Sequence, residues 1–388
     1  MTRTVSIFGS TGSIGQQTVD LIQRDRENFD VFCLSGASNI ALLAEQAQSL
    51  RPKYVVTASE AHFEDLKQLL SDTDVQVLCG REALLDLARE PVDWAISAIV
   101  GFAGLEVSLA IAANGKTLAL ANKESLVCGG PLLRSKCDQH GTVLMPVDSE
   151  HSALFQAMVG EDRDAIDRVI ITASGGPFRS WTREAMAGVT PAQAANHPKW
   201  SMGLRISIDS ATLFNKALEV IEAKELFDFD PSQIEVIIHP QSTIHSLIGF
   251  RDQALMAHMG VPDMRGAIGY ALYHPVRAAL PVEPLDLAAL GRLDFEAPDH
   301  DRFPALKLAY EVMERGGLTG AVLNGAKEAA MNAFLDDEIC FLDMAALVER
   351  ALHDPACDAL GSRHEIDAII AADKWSREFV ALQKGTLR

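Results

Sequence analysis

A glycine-rich turn near the N-terminus constrains the fold of this chain more than any other segment. The residues Gly9-Ser-Thr-Gly12-Ser-Ile-Gly15 follow an apolar stretch at 4–8 and open a helical pattern over 14–25. Glycines in such a turn let the backbone approach a pyrophosphate, and the helix N-terminus offers it free N–H groups and positive dipole. The turn predicts a dinucleotide-binding α/β domain, and the alternative is a merely tight structural turn.

The first third of the chain continues with alternating strand and helix patterns. Short apolar runs predict strands at 4–8, 31–34, 54–57, 75–78, 94–99, 117–120 and 142–147. Helical patterns between them cover 14–25, 40–49, 59–70 and 105–113. Strand–helix alternation with apolar strands is typical of a Rossmann-like, doubly wound parallel sheet.

The rest of the chain divides into three further parts. Residues 150–274 mix helices with strands predicted at 168–172, 205–208, 235–238, 246–250 and 254–258, which indicates a central α+β domain. Residues 275–303 are rich in proline and charge and predict a linker. From 304 to 388 the pattern is purely helical, with helices expected near 304–316, 319–335, 344–353 and 364–383. The expected domains are therefore 1–149, which binds the dinucleotide, 150–274, the linker 275–303 and a C-terminal helical bundle 304–388.

Composition excludes several classes of protein. The chain has 34 basic and 53 acidic residues, and a net charge of −19 argues against nucleic acid as a partner. The six cysteines lack metal-finger spacing, so free thiols in a reducing cytoplasm are expected. The first strand leaves no room for a signal peptide. The apolar stretch 94–113 is broken by Gly101 and Gly104, so we expect a strand, a turn and a helix there rather than a membrane span.

The end of the second predicted strand bears on the choice of cofactor. Proteins that select NAD usually place an acidic residue there, against the ribose 2′-hydroxyl. This chain reads Ser35-Gly-Ala37-Ser38-Asn39, with no carboxylate and no basic side chain. Since nothing there repels a 2′-phosphate, the sequence favours NADPH over NADH.

Three carboxylates suggest a metal site. Asp148 and Glu150 follow a predicted strand, and in extended chain residues i and i+2 point to the same side. Glu219 lies on a helix predicted to begin near Ser207 and to be apolar on both flanks, where Asn215 and Lys216 share its polar stripe. Oxygen-only ligands suit Mg²⁺ or Mn²⁺. The alternatives are a surface turn at 148–150 and an ordinary buried salt bridge on the helix.

Three other segments carry polar groups that suit an anionic ligand. Lys123 follows a strand in Ala121-Asn122-Lys123-Glu124-Ser125, which by itself is also typical of a solvated loop. The small-residue turn Ser174-Gly-Gly-Pro-Phe178 follows another strand. The segment Asn196-His197-Pro-Lys-Trp200-Ser-Met202-Gly203 ends a long irregular stretch, which predicts a lid loop over about 174–204. Trp200 and Met202 would form its apolar flap, or would simply pack in the core.

Together these motifs resemble the 1-deoxy-D-xylulose 5-phosphate reductoisomerase family. The resemblance covers residues 9–15, 121–125, 148–151, 174–178, 197–203 and 209–219, and includes His239-Pro-Gln-Ser-Thr-Ile-His245. It implies a homodimer that uses NADPH and Mg²⁺ or Mn²⁺, with Co²⁺ as a further candidate. The resemblance implies that 150–274 is the catalytic and dimerisation domain. It also implies conversion of 1-deoxy-D-xylulose 5-phosphate to 2-C-methyl-D-erythritol 4-phosphate in non-mevalonate isoprenoid biosynthesis, by a rearrangement followed by reduction.

The resemblance also implies roles for individual residues. Asp148, Glu150 and Glu219 would bind the metal, with Lys123, Glu150 and His197 as catalytic residues. The substrate would contact Ser149, Glu150, Ser174, His197, Ser210, Asn215, Lys216 and Glu219. The dinucleotide would contact Thr11, Gly12, Ser13, Ile14, Ala37, Ser38, Asn39, Asn122, Glu124 and Gly203. Some members of the family carry a basic residue where this chain has Ser38.

Two other classes of function remain as alternatives. One is another NADP-linked dehydrogenase acting on a sugar phosphate or a semialdehyde. A semialdehyde enzyme needs a nucleophilic cysteine, and neither Cys128 nor Cys137 lies in an activating motif. The other is a non-catalytic NADP(H)-sensing protein, which gives no reason for three carboxylates beside an Asn-Lys stripe.

Overall fold

A seven-stranded, fully parallel sheet organises the N-terminal part of the chain, in a computed structural model that describes residues 2–114, 116–197, 200 and 203–386. Its order is β4-β3-β2-β1-β5-β6-β7, so the direction of winding reverses between β1 and β5. The strands are Arg3–Phe8 (β1), Phe29–Gly36 (β2), Tyr54–Thr57 (β3), Gln76–Cys79 (β4), Trp94–Ser97 (β5), Thr117–Leu120 (β6) and Val143–Pro146 (β7).

Helices cross over between these strands because parallel neighbours need long connections. Ile7 on β1 and Ile96 on β5 are fully buried, as expected for a sheet covered on both faces. The helices of this region are Ser13–Arg24 (α1), Ile40–Leu50 (α2), Phe63–Leu69 (α3), Gly80–Arg89 (α4), Gly104–Ala112 (α5), Lys123–His140 (α6) and Ser149–Ala157 (α7).

A four-stranded sheet with the order β11-β10-β8-β9 organises the middle of the chain. The pair β8 and β9 is parallel, and the other pairs are antiparallel. Its strands are Ile166–Ala173 (β8), Ile234–Ile238 (β9), Ile244–Phe250 (β10) and Leu255–Met259 (β11). The helices here are Arg183–Met186 (α8), Pro191–Ala194 (α9), Leu204–Ala211 (α10), Phe214–Phe227 (α11) and Met264–Tyr273 (α12).

Between residues 275 and 386, the regular elements that the structure describes are all helices. Helix α15 is buried along most of its length and contacts α14, α16 and α18. The helices are Leu287–Leu290 (α13), Ala305–Arg315 (α14), Thr319–Leu335 (α15), Asp343–His353 (α16), Pro355–Ala359 (α17) and Ile366–Gln383 (α18).

The chain forms two compact units. One comprises Met1–Ser125, Leu133–Ser152 and Asp263–Val282, and the other comprises Leu126–Leu132, Ala153–Pro262 and Glu283–Arg388. The expected domain boundaries at 149, 274 and 303 stay predictions. None of the helices in the described part of the chain has both the length and the apolar character needed to cross a bilayer.

The predicted fold class is confirmed, and all seven strands predicted in residues 4–147 are present. The six cysteines are free, as expected. The stretch 94–113 is the predicted strand, turn and helix.

Three local predictions are wrong. The strand expected at 205–208 lies in helix α10, because the short Arg-Ile-Ser-Ile alternation also fits a helix, and the packing of α10 on α15 through Asp209 and Lys327 favours the helix. The extended chain expected at 148–150 is absent, since α7 begins at Ser149. The helix expected to run on from Ser207 is also interrupted. Leu213 has a left-handed backbone with φ of 61°, and it separates α10 from α11.

Candidate functional site

The glycine turn lies where the sheet changes its direction of winding. Gly9 has φ of +91°, and a Cβ atom on it would lie 2.6 Å from the carbonyl oxygen of Ala98, just beyond β5. A Cβ on Gly15 would lie 2.2 Å from the Gly9 oxygen. Gly12 caps helix α1 without a side chain, so first-turn N–H groups beside Ser13 and Ile14 are left for a ligand. In open α/β sheets this edge, at the carboxyl ends of the strands, is where dinucleotides bind.

The end of β2 lies beside the glycine turn. The backbone N–H of Ser10 donates to the Ser35 oxygen at 2.7 Å, and Thr11 lies against Gly36. Ala37, Ser38 and Asn39, which follow, are exposed. Asn39 caps α2 by accepting from the Leu42 N–H at 3.3 Å. The Asn39 side chain is therefore engaged with its own helix, and Ser38 is the freer polar group at this edge.

Asn122 and Glu124 hold the loop that follows β5. The Asn122 amide donates to the carbonyl oxygens of Ile99 at 2.8 Å and Gly101 at 2.9 Å, and to Glu124 at 2.8 Å. A Glu124 carboxylate oxygen accepts from the Gly101 N–H at 3.1 Å. Both side chains are buried. They fix the backbone between the glycine turn and helix α6, along the edge expected to bind the cofactor.

Lys123 and Asp148 form an ion pair in the first unit. Their side chains are 9% and 12% exposed, and Ser149 donates to Glu150 at 2.5 Å. Burial would raise the pKa of Asp148, but the charges of Lys123 and His151 outweigh burial and hold that pKa well below its usual range. Asp148 is thus kept as an anion, which is the form that binds a metal.

In the second unit, Ser174 and His197 lie together. The Ser174 hydroxyl is 2.9 Å from the His197 Nε2 atom, and the Trp200 N–H donates to Nδ1 at 2.9 Å. Burial lowers the pKa of His197 to about 4, so the imidazole is neutral near pH 7. With Nδ1 accepting, the proton lies on Nε2 and is donated to the Ser174 oxygen, which leaves the serine hydroxyl hydrogen for a ligand.

Ser210 is brought to the same turn. Gly176 has φ of +68°, and a Cβ on it would lie 2.7 Å from the Ser210 carbonyl oxygen. The close backbone approach sets the turn after β8 against the C-terminal end of α10. Gly203 is exposed and caps the start of α10. Lys199 and Met202 of the predicted lid lie outside the described residues.

Helix α11 contributes a buried polar cluster. Asn215 and Lys216 both donate to Glu219, and Lys216 and Glu219 are 3% and 1% exposed. The buried salt bridge considered as an alternative is therefore present. The same arrangement also fits a metal ligand, because it holds a carboxylate ready against one positive charge. The three ligands that the resemblance implies, Asp148, Glu150 and Glu219, would offer only oxygen atoms, as Mg²⁺ prefers.

Sequence reasoning missed two histidines. His151 is fully buried, with Nδ1 3.9 Å from an Asp148 oxygen. The ring of His245 lies 6.3 Å from that of Trp200 between centroids. Burial, together with the charge of His258, lowers the pKa of His245 to about 4. His151 follows the acidic motif at 148–150, and His245 ends the motif at 239–245. Their positions next to these polar motifs were the signal in the sequence that could have identified them.

Taken together, the switch-point glycine turn and the buried carboxylates define a nicotinamide-dinucleotide-dependent α/β oxidoreductase with a metal site. Family models support a narrower assignment. Residues 5–130 match the model of 1-deoxy-D-xylulose 5-phosphate reductoisomerase, and 144–227 and 259–379 match two models of the C-terminal domains of that enzyme. The chain belongs to the 1-deoxy-D-xylulose 5-phosphate reductoisomerase family. The predictions of family, enzyme class and reaction are confirmed.

Relatives of known name match along the whole chain. The 1-deoxy-D-xylulose 5-phosphate reductoisomerase of Ruegeria pomeroyi is 55% identical over 97% of this chain and 96% of its own. That of Rhizobium etli is 52% identical over 98% and 96%.

Solved structures also match at full length. The reductoisomerase from Zymomonas mobilis in complex with NADPH is 44% identical, with a TM-score of 0.93 over 100% of both chains. A DOX-P reductoisomerase in complex with NADPH, fosmidomycin and magnesium is 38% identical, with a TM-score of 0.95 over 99% of both chains.

Proposed function

We propose that this chain performs the reaction of its family with the residues described above. The reaction is the NADPH- and metal-dependent rearrangement and reduction of 1-deoxy-D-xylulose 5-phosphate to 2-C-methyl-D-erythritol 4-phosphate. The observation that carries the proposal is the full-length match to relatives crystallised with NADPH and magnesium. Use of NADPH and magnesium is accordingly assigned to this chain.

Asp148, Glu150 and Glu219 are the proposed metal ligands. A divalent cation bound to substrate oxygens would polarise a carbonyl and lower the pKa of a hydroxyl. The chain contributes ionised carboxylates, of which Asp148 is kept deprotonated by Lys123. Lys123 and Ser149 lie beside these ligands in the first unit and would contact the reacting hydroxyl and carbonyl oxygens.

The substrate phosphate is assigned to the second unit. Its proposed ligands are Ser174, His197, Ser210, Asn215 and Lys216. The neutral His197 orients the Ser174 hydroxyl, and Lys216 supplies a positive charge in a protein whose net charge is −19. Charge-assisted contacts to a group far from the reacting carbons orient the substrate.

NADPH is assigned to the edge of the parallel sheet. The first turn of α1, with Thr11, Gly12, Ser13 and Ile14, would bind the pyrophosphate. The exposed turn of Ala37, Ser38 and Asn39 would receive the adenosine ribose. Asn122 and Glu124 shape the neighbouring loop through hydrogen bonds, and Gly203 is assigned to the nicotinamide side from the family resemblance.

The semialdehyde dehydrogenase alternative is disfavoured by the cysteines. Cys137 is buried, and burial raises its pKa to about 12, so it carries no thiolate near neutral pH. Cys128 is buried as well. A nucleophilic cysteine needs the opposite environment, with partial exposure and a lowered pKa.

A homodimer and a cytoplasmic location remain proposals from the family. The edge strand β11 supports a dimer, since Leu255 and Met256 on it are 55% and 38% exposed. An exposed apolar edge strand is suited to pairing with another chain. Light scattering during gel filtration measures the mass, and a monomer at micromolar concentration would contradict the proposal.

Turnover with metal added or removed tests the function. NADPH oxidation should require both 1-deoxy-D-xylulose 5-phosphate and Mg²⁺ or Mn²⁺. Glu219→Gln keeps the size but removes the charge, so turnover should collapse while NADPH affinity survives. Full metal-dependent turnover in that variant would refute the ligand assignment. NADPH binding without any turnover of the wild-type protein would instead support an NADP(H)-sensing protein.

A further inference from the structure

A buried ion pair joins helix α10 to helix α15. The Nζ atom of Lys327 donates to an Asp209 carboxylate oxygen at 2.9 Å, and the two side chains are 3% and 9% exposed. They are separated by 118 positions along the chain. The family match alone gives no role to this pair, and none of the assignments above uses it.

Helix α15 provides a fixed support for this pair. Its Glu328 accepts from Arg377 of α18 at 2.8 Å, and Arg377 also bonds Asp373 at 2.7 Å. A Cβ on Gly325 would lie 2.2 Å from the Ser376 hydroxyl oxygen and 3.0 Å from the Asp373 carbonyl oxygen, so the two helices pack closely. Closely packed helices joined by ion pairs shift little, so α15 can set the position of the side chains that it holds.

One face of α10 is docked on this support. Arg205, one helical turn before Asp209, donates to Asn332 of α15 at 2.6 Å. Ser210 directly follows Asp209, and its carbonyl lies against the Gly176 turn. The end of α10 that carries Ser210 is therefore constrained on one side by α15 and on the other by the turn that carries Ser174.

We propose that the Asp209–Lys327 pair positions Ser210 for the substrate phosphate. The inference rests on the proposed function, because it assumes that Ser210 is a phosphate ligand. Asp209 and Lys327 act through α10 and do not contact the substrate. Their effect is expected in the affinity for the phosphorylated substrate, not in the affinity for NADPH. The proposed NADPH ligands lie in the first unit, apart from Gly203, which caps the opposite end of α10 from Ser210.

The pair also explains how a carboxylate can lie next to a dianion site. Removing one partner of a buried ion pair leaves the other charge without that partner, which is strongly destabilising, and we expect α10 to shift in response. Lys327 also lies close enough to Glu328 for its charge to lower the pKa of that carboxyl, so the loss of Asp209 upsets a balance of three charges. Replacing both partners with neutral side chains that still hydrogen-bond leaves no such charge. Single and double variants should therefore behave differently, which a general loss of packing would not produce.

The experiment compares Asp209→Asn, Lys327→Met and the double variant Asp209→Asn/Lys327→Gln. Each single variant should raise the KM for 1-deoxy-D-xylulose 5-phosphate and the inhibition constant of inorganic phosphate by about tenfold, the scale of a misplaced binding group. The KM for NADPH should stay at the wild-type value. The double variant should recover to within roughly threefold of wild type in both quantities.

Arg315→Met serves as a control for the loss of an ion pair elsewhere in the same unit. Arg315 joins α14 to Asp358 of α17 at 2.9 Å, in a more exposed pair whose side chains are 26% and 78% exposed. The variant should lower the melting temperature and leave both substrate constants unchanged. If it raises the substrate KM as much as the single variants do, ion-pair loss acts by general destabilisation and the proposal is overturned.

The remaining outcomes also decide the inference. Folded single variants with a wild-type KM would overturn it, as would an equal rise in the KM for NADPH or a lowered substrate KM in Asp209→Asn. If neither single variant folds, the double variant decides alone, and a more than threefold rise in its KM overturns the proposal. Ser210→Ala distinguishes failure of this inference from failure of the proposed phosphate site. If Ser210→Ala raises the inhibition constant of phosphate while the variants at 209 and 327 have no effect, only this inference is refuted. If Ser210→Ala has no effect, the assignment of Ser210 to the phosphate is itself refuted.

Discussion

Replacing Lys216 with methionine tests whether Glu219 needs a cation. The two side chains are 4% and 1% exposed, and the lysine ammonium forms an ion pair with that carboxylate. Methionine keeps the length and the apolar contacts of the stem but removes the charge. In EDTA, the variant buries a carboxylate that keeps the Asn215 hydrogen bond and loses the Lys216 charge.

Breaking a buried pair from one side costs about 3–5 kcal/mol, and the remaining Asn215 contact favours the lower end. For a domain of 150–250 residues, 3 kcal/mol corresponds to a fall in Tm of roughly 6–12 °C. A divalent cation on Glu219 would replace the missing charge. Mg²⁺ should therefore raise the Tm of Lys216→Met by more than it raises that of the wild-type protein.

Thermal unfolding with EDTA and with saturating Mg²⁺ measures both effects. Lys224→Met is the control, because Lys224 pairs with Glu225 on the same helix at 31% and 13% exposure, where a pair is worth only about 0–1 kcal/mol. Activity gives a second measure. Loss of a buried, charge-assisted contact to the phosphate should lower kcat/KM by an amount equivalent to about 2–4 kcal/mol of transition-state stabilisation. Equal Mg²⁺ stabilisation of Lys216→Met and wild type would refute the reasoning about Glu219.

Three further predictions follow from the same structure. Gly15→Ala should abolish NADPH binding measured by fluorescence titration, because the added Cβ would lie 2.2 Å from the Gly9 oxygen, and tight binding would contradict the role of the turn. Ser38→Asp should erase or reverse the preference for NADPH in kcat/KM, since a carboxylate repels a 2′-phosphate, and an unchanged ratio would place the ribose elsewhere. His245 has a pKa lowered from 6.5 to about 4, chiefly by burial, so the unfolded chain binds a proton between these values that the folded chain does not. The free energy of unfolding should thus fall as the pH drops from 6.5 to 4, by at most about 3 kcal/mol more in the wild-type protein than in His245→Asn. Parallel curves of unfolding free energy against pH for the two proteins would refute the shift.

The fold of the N-terminal sheet could be predicted because its strands are short apolar runs separated by helical patterns. Trp94–Ser97 and Thr117–Leu120 illustrate this, since both strands were found within two residues of their predicted ends. The segment at 205–208 failed because four residues of Arg-Ile-Ser-Ile satisfy both the strand and the helix period. Only the packing of α10 on α15 decides between the two periods, and the residues that join these helices, Asp209 and Lys327, are 118 positions apart in the sequence.

Individual residues of the candidate site could be predicted from the sequence, but the contacts between them could not. The cluster of Asn215, Lys216 and Glu219 followed from helical spacing, because side chains four positions apart share a face. The Asp209–Lys327 pair had no such signal, since no local pattern links residues so distant along the chain. The hydrogen bond that fixes the tautomer of His197 likewise depends on the folded loop.

The interruption at Leu213 has a consequence for the anion that the second unit is proposed to bind. An unbroken helix across 204–227 would have used the N–H groups of residues 214–216 in its own hydrogen-bond ladder. Because α11 starts afresh at Phe214, whose N–H donates to the Thr212 hydroxyl at 3.4 Å, the positive end of a 14-residue helix dipole lies beside Asn215 and Lys216. A left-handed leucine costs on the order of 1 kcal/mol. In return, the main chain itself supplies partial positive charge to a region of a strongly acidic protein that must attract a dianion.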